Sequence, residues 1–323
     1  MHGPRRASGP GPEAIERAAA CLRAGGVVAF PTETVYGLGA NALDTAAVAR
    51  VYALKGRPAT SPLIVHVADT HAARALAARW PDAAQRLSDA FWPGPLTLVV
   101  PKAPHVPDGV TGALATVGLR VPSHPVAHAL LAAAGVPLAA PSANRFTRLS
   151  ATCAEHVHAA FPEGVDVVLD GGPTAVGIES TVVSLAGDVP RLLRHGAIPL
   201  ARLRDVVGRV DEPPADPGPG AHAAPGPHSR HYSPRTPLVL LHADAAAPAG
   251  RGVRVRRGGA AVPADEIALP ADPAGYAARL YATLHELDAR GLDWIAVDLP
   301  PPTAEWAAVR DRLRRGAGGG GVD

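Results

Sequence analysis

Between Gly208 and Pro237 the chain reads GRVDEPPADPGPGAHAAPGPHSRHYSPRTP, a stretch crowded with proline and glycine and nearly free of aliphatic side chains. Proline removes a backbone donor and fixes φ, and without apolar groups there is nothing to bury, so the stretch can form no core element. It therefore divides the 323 residues into two pieces, each of which must build its own sheet and helices. Apolar periodicity on both sides alternates between the helical and the extended repeat. EAIERAAACLRAG, DTAAVARVYALKG (with Asp44 as N-cap), HAARALAARW and HPVAHALLAAAG read as helices; VVAFPT, PLIVHVAD, PLTLVVP, VGLRVP, VDVVLDGG and STVVSL read as strands. After the break, LVLLHA and WIAVDLP read as strands, and YAARLYATLHELDARG and TAEWAAVRDRLRRG as helices. Interleaving of this kind predicts an α/β fold with a mixed sheet followed by a smaller α/β domain. The expected boundaries are a disordered 1–12, a main domain over 13–207, a linker over 208–236, a second domain over 237–316 and a disordered tail over 317–323.

Charge excludes some functions and localises others. The net charge is +2, so no global basic field advertises nucleic acid, and any anion site has to be local. Of the 31 basic residues only Lys55 and Lys102 are lysines. Arginine has taken nearly every position where any positive charge suffices, which makes the lysine of KGRP informative. Cys21 and Cys153 are far apart and form no CxxC, which argues against a zinc ribbon or a disulfide scaffold and fits a reducing cytoplasmic setting. The N-terminus lacks the apolar core of a signal peptide, and the longest apolar run, Ala129–Ala140, is too short to span a bilayer. No membrane association is expected.

Several motifs read as structural. GLGANA (Gly37–Ala42) fits a dinucleotide fingerprint, but PTETVY before it is too polar for the first strand of such a unit, and no helix opens on its third position. His124 and His128 lie four apart without a third ligand and read as ordinary helix-face residues. RGVRVRRGG (Arg251–Gly259) reads as a solvated hairpin edge. Four segments read differently. KGRP puts Lys55 and Arg57 on one turn, where they can grip a polyphosphate. PSANRFTRLSAT (Pro141–Thr152) is dense in hydroxyl and amide groups suited to phosphates or a purine. GIESTVVSL places Glu179, Ser180 and Thr181 at the mouth of a buried strand, and LLRHGAI brings Arg194 to the end of another. Together they outline a basic cleft.

FPTETVYGLG, KGRPATSPLIVHV, FWPGPLTLVV, APSANRFTRLSATCAEHV, LDGGPTAVGIESTVVSL and LRHGAI, in this order, resemble the successive signature segments of the YrdC-like family. APGPHSRHYSP and AARLYATLHELDARG resemble the linker and C-terminal domain of its longer subtype. The resemblance implies a twisted open mixed sheet with a basic concave cleft and a small Rossmann-like second domain. It also implies an L-threonylcarbamoyladenylate synthase, which joins L-threonine, bicarbonate and ATP, releases pyrophosphate, and supplies a tRNA threonylcarbamoyl transferase. On this resemblance Lys55 and Arg57 are the catalytic cations, and they contact ATP together with Ser61, Thr116, Ser142, Asn144, Ser150, Arg194 and Tyr232. Thr34, His66, Arg120 and Ser180 take L-threonine. Mg2+ is expected with ATP, with no dedicated protein metal site, and contact with tRNA is expected to be weak. The linker is expected to act as a lid. The alternative is a YrdC-like protein that binds double-stranded RNA or tRNA without catalysis. Two positions depart from the family pattern: Thr147 stands at a usual glycine and His195 at a usual proline, so Thr147 is expected to carry backbone strain if that position needs a positive φ.

Overall fold

The computed structural model describes residues 10–212, 231–242, 245–258, 263 and 266–318. The tails at 1–9 and 319–323 and the linker core at 213–230, to which the expectations of disorder and of a lid chiefly apply, lie outside the described residues. The first body is built on nine strands: β1 (Val28–Pro31), β2 (Tyr36–Asn41), β3 (Ile64–His66), β4 (Leu96–Pro101), β5 (Thr116–Arg120), β6 (Leu138–Ala139), β7 (Val167–Val168), β8 (Thr181–Ser184) and β9 (Arg191–Arg194). They form one mixed sheet in the order β7-β1-β2-β6-β3-β5-β4-β8-β9. Antiparallel pairing joins β1 to β2 and β4 to β5, whereas β3 runs parallel to β5 and β4 parallel to β8.

Local sequence explains the elements that position the cleft. The helix Thr45–Lys55 is opened by Asp44, whose carboxylate accepts from the Ala46 and Ala47 amides, and closed by Gly56 at φ 63. That left-handed closure turns the chain sharply enough to bring Arg57 back beside Lys55. GLGANA is not a nucleotide turn. It runs within β2, where Gly39 lies under the Phe30 ring of β1; a Cβ there would meet the ring at 2.7 Å.

The second body is a parallel sheet of four strands, β10 (Leu238–Leu241), β11 (Gly252–Arg257), β12 (Glu266–Leu269) and β13 (Trp294–Asp298), in the order β10-β13-β11-β12. Here one expectation is corrected. RGVRVRRGG is no hairpin edge: β11 is an interior strand with parallel neighbours on both sides. Val253 and Val255 are buried, and Arg254 is buried with its guanidinium 2.7 Å from Asp298. The alternation of valine and arginine suggested a half-solvated strand, but an ion partner on β13 supplies what solvent would have given.

The two bodies share a core. Val35, Leu149 and Ile178 of the first pack in the same apolar cluster as Tyr276, Tyr281 and Leu313 of the second, with Tyr232 between them. No helix among the described residues is long and apolar enough to cross a membrane.

Candidate functional site

A cleft opens where β1, β2, β3, β5 and β8 present their ends beside the Pro141–Ser142 turn. It is lined by Thr32, Thr34, Arg57, His66, Arg120, Ser142, Glu179, Ser180, Arg194, His231 and Tyr232, among others. Eight of the sequence-predicted residues thus meet on one surface: Thr34, Arg57, His66, Arg120, Ser142, Ser180, Arg194 and Tyr232. Lys55, Ser61, Thr116, Asn144 and Ser150 do not line it.

Three of those five nonetheless shape the wall. Lys55 Nζ donates to the carbonyls of Ser142 and Asn144, both at 2.6 Å, and is fully buried behind them. Burial and then the neighbouring Arg57 depress its pKa far below that of an ordinary lysine. Its visible work is therefore to brace the loop that carries Ser142. Asn144 ties the same loop from within, donating to the Arg145 and Arg148 carbonyls at 2.7 and 2.9 Å, while its Oδ1 is buried without a hydrogen-bond partner. Ser150 Oγ donates to Glu179 Oε1. Thr147 adopts φ 68, the left-handed conformation that a usual glycine would take without strain. Its carbonyl accepts from the Ser233 amide at 2.9 Å, so the strained turn is fastened to the linker.

The basic side chains of the lining fall into two groups. In the first, His66 and Arg120 are register partners on the parallel pair β3 and β5. Arg120 donates to Thr34 Oγ1 at 3.0 Å and to the Gly94 carbonyl at 3.2 Å, and pairs with Glu33 at 2.7 Å. Burial alone would raise the Glu33 carboxyl, but Arg120 outweighs it and holds Glu33 below the usual carboxylate range. His66 is pushed down to about 3 by burial and by Arg120, so it is neutral at physiological pH; its Nδ1 is buried without a hydrogen-bond partner. In the second group Arg57 donates to the Pro62 carbonyl at 3.0 Å, and Arg194 donates to the Ser180 carbonyl and hydroxyl, both at 3.1 Å. Burial lowers the Arg57 guanidinium to about 10, still charged at neutral pH. Ser180 Oγ also meets Thr97 Oγ1 at 2.8 Å and so links this group to the sheet.

Tyr232 closes the cleft. It is fully buried at φ 62, and its ring lies against Tyr281 with centroids 5.9 Å apart. The cavity that remains is about 40 Å3, whereas pockets for nucleotide-sized ligands run to roughly 300–1,000 Å3. The sequence reading did not select His231, which lines the cleft, or Glu33, Tyr281 and Arg312, which bond to lining residues from behind. Glu33 sits in PTETVY, where its polarity was the available signal; Tyr281 and Arg312 come from the second body, and no local pattern connects them to the cleft.

The buried neutral His66 predicts how stability responds to acid. Its folded pKa lies below the unfolded value, so its contribution is intact above about pH 6.5 and is lost as pH falls toward the folded value. Between pH 6.5 and 5 this should cost about 2 kcal/mol. His156, lowered to about 4 mainly by burial, acts in the same direction. Urea midpoints at pH 7 and pH 5 measure the loss, and His66→Gln should flatten the slope. An unchanged slope in that variant would show that His66 is not held neutral.

An α/β protein with an arginine-lined cleft and a second parallel-sheet body is the class this geometry defines, and comparison with known proteins specifies it. Residues 20–196 match the Sua5/YciO/YrdC family model, described as telomere recombination. Residues 198–318 match the model described as threonylcarbamoyl-AMP synthase, C-terminal domain. The chain is 39% identical to the threonylcarbamoyl-AMP synthase of Pyrococcus abyssi, over 94% of each chain. It is 40% identical to that of Bacillus subtilis, over 94% of this chain and 93% of the other. The crystal structure of P. abyssi Sua5 complexed with L-threonine superimposes with a TM-score of 0.89 at 37% identity, covering 97% of this chain and 96% of that one. The chain belongs to the Sua5/YciO/YrdC family, in its two-domain threonylcarbamoyl-AMP synthase branch.

Proposed function

We propose that the cleft joins L-threonine, bicarbonate and ATP into threonylcarbamoyl-AMP with release of pyrophosphate. The observation that carries the proposal is the division of the cleft into two arginine-centred groups, one of Arg120 with Thr34 and the neutral His66 and one of Arg57 and Arg194 with Tyr232. A carboxylate-bearing amino acid suits the first, where a forked guanidinium stands beside a hydroxyl and an imidazole. A nucleotide suits the second, where two arginines flank a tyrosine ring and the Ser142 turn.

The chemistry needs no protein nucleophile. The neutral amine of threonine forms an N–C bond with bicarbonate and releases water, which leaves a carbamate. A carbamate oxygen then attacks the α-phosphorus of ATP, the bond from that phosphorus to the bridging oxygen breaks, and pyrophosphate departs with the electron pair. Catalysis of this kind is positioning plus charge stabilisation, which fixed arginines in a dry site supply. Carbamates revert in water, so the buried Tyr232 ring in the cleft lining suits the chemistry by limiting the access of water. Mg2+ is proposed to arrive on the ATP phosphates, as the hydrated ion prefers, because the carboxylate lining the cleft, Glu179, is already engaged by Arg312, Tyr281 and Ser150. The product is a reactive mixed anhydride, and its proposed consumer is a tRNA threonylcarbamoyl transferase in the same compartment, the cytoplasm.

The test is mass spectrometry of the product formed from ATP, bicarbonate and isotopically labelled threonine. A labelled threonine–carbonyl–AMP adduct in step with pyrophosphate is expected. ATP turnover without the adduct would refute the proposal, and tRNA binding without any pyrophosphate release would favour a non-catalytic RNA-binding protein.

A further inference from the structure

The last helix, Ala307–Gly316, buries Ala308, Val309, Arg312, Leu313 and Gly316 along one face. A charged side chain thus occupies a position where helical spacing calls for an apolar one. Arg312 is 1% exposed, and stripping a guanidinium of water is costly unless each of its donors is met. Two of its three nitrogens are met across the boundary between the two bodies, and the third within its own helix. Nε donates to Glu179 Oε2 at 2.7 Å, Nη2 donates to the His195 carbonyl at 3.0 Å, and Nη1 is balanced by Asp311 at 2.5 Å. The guanidinium carbon lies 5.0 Å from the centroid of the Tyr232 ring.

Each first-body contact of Arg312 is one step from the cleft. Glu179 lines it and also accepts from Ser150 Oγ and, at 3.2 Å, from Tyr281 OH. The second body therefore provides two of the three hydrogen-bond donors recorded on this carboxylate. His195 is the neighbour of Arg194, and Tyr232 closes the site. A tether or a solubility module would need none of these bonds.

We propose that Arg312 is a positioning residue for the nucleotide half of the cleft: by fixing Glu179, the His195 carbonyl and the Tyr232 ring from outside, it makes the second body part of the active arrangement. The proposal rests on the reading of Ser150, Arg194 and Tyr232 as nucleotide contacts. Lysine can keep one bond to Glu179 but cannot fork to His195 or cover the ring, so Arg312→Lys separates positioning from charge.

In the full-length chain, Arg312→Lys should raise the KM for ATP about tenfold while the KM for threonine stays within about twofold, because a small misplacement of binding groups falls on the ligand they touch. Without ligand, amides over 149–151 and 231–233 should exchange faster than in wild type, with β13 unchanged. An ATP KM within twofold of wild type in a folded Arg312→Lys protein overturns the proposal, as does an equal rise for both substrates. Should that variant fail to fold, the double variant Glu179→Gln/Arg312→Met removes both buried charges together. It should show the same ATP-selective rise, and a wild-type ATP KM there is equally fatal. If the wild-type chain makes no threonylcarbamoyl-AMP, the functional reading fails by itself, and the exchange measurement alone decides: unaltered protection at 149–151 and 231–233 then overturns the positioning role.

Discussion

Valine should turn over roughly a thousandfold or more slowly than threonine in kcat/KM for pyrophosphate release, although the two side chains are nearly isosteric. The expectation comes from the state of His66. It sits in Ile64–His66, a fully buried strand, with Nδ1 buried and making no hydrogen bond, and the ring kept neutral by burial and by Arg120. An unpaired polar atom in a dry site is stabilised by a ligand hydroxyl and penalised by a methyl in the same place. Thr34 Oγ1, already bonded to Thr32 Oγ1 at 2.8 Å and to Arg120, is fixed beside it and cannot turn away to find water. Serine keeps the hydroxyl and loses only a methyl, so it should fall by about ten- to two-hundredfold. Initial rates with the three amino acids at fixed ATP and bicarbonate provide the comparison. Valine within tenfold of threonine would mean that the Arg120 group does not read the side-chain hydroxyl.

The second large effect belongs to Lys55. Lys55→Met should lower activity by about a hundredfold and stability by about 2–3 kcal/mol at once, because it leaves the Asn144 carbonyl buried without its lysine donor and takes from the Ser142 carbonyl one of two donors, the other being the Asn144 amide at 3.0 Å. The coupled loss identifies a brace. A lysine reserved for the triphosphate would cost activity with little change in unfolding, since its charge would be unused in the empty protein. Urea unfolding and product formation measured on the same preparation separate the two roles. An undiminished unfolding free energy in Lys55→Met would sink the brace and return the residue to the phosphates. Arg57 is the cation of this turn that lines the cleft.

The retention of lysine at position 55 was visible in the sequence, but its reason was not. In a chain that writes almost every cation as arginine, a lysine in KGRP stands out, and a polyphosphate was the natural partner to assign it. The structure gives it different partners: two carbonyls converge on one buried nitrogen, a point that a planar guanidinium fork does not fit. Thr147 went the other way. Its place at a usual glycine of the family flagged strain on the condition of a positive φ, and the observed φ of 68 meets that condition, because the constraint is local to one residue.

Most of the elements and most of the cleft lining were legible in the sequence itself. Helices such as Thr45–Lys55 and Pro125–Ala134 follow from apolar spacing and caps, which act within a few residues. The motif segments place Thr34, Arg57, His66, Arg120, Ser142, Ser180 and Arg194 on loops and strand ends of a single sheet, and the sheet then gathers them. What tertiary structure alone decided is whatever depends on two distant segments meeting. Arg254 reads as an exposed strand residue until Asp298 is placed beside it. Arg312 is one of four arginines in the helix Ala307–Gly316, and only the docking of that helix against Glu179, 133 residues away, selects it for burial. The physical reason is the same in both cases. The cost of burying a charge is set by its partner, and a partner supplied by another element leaves no trace in the local pattern.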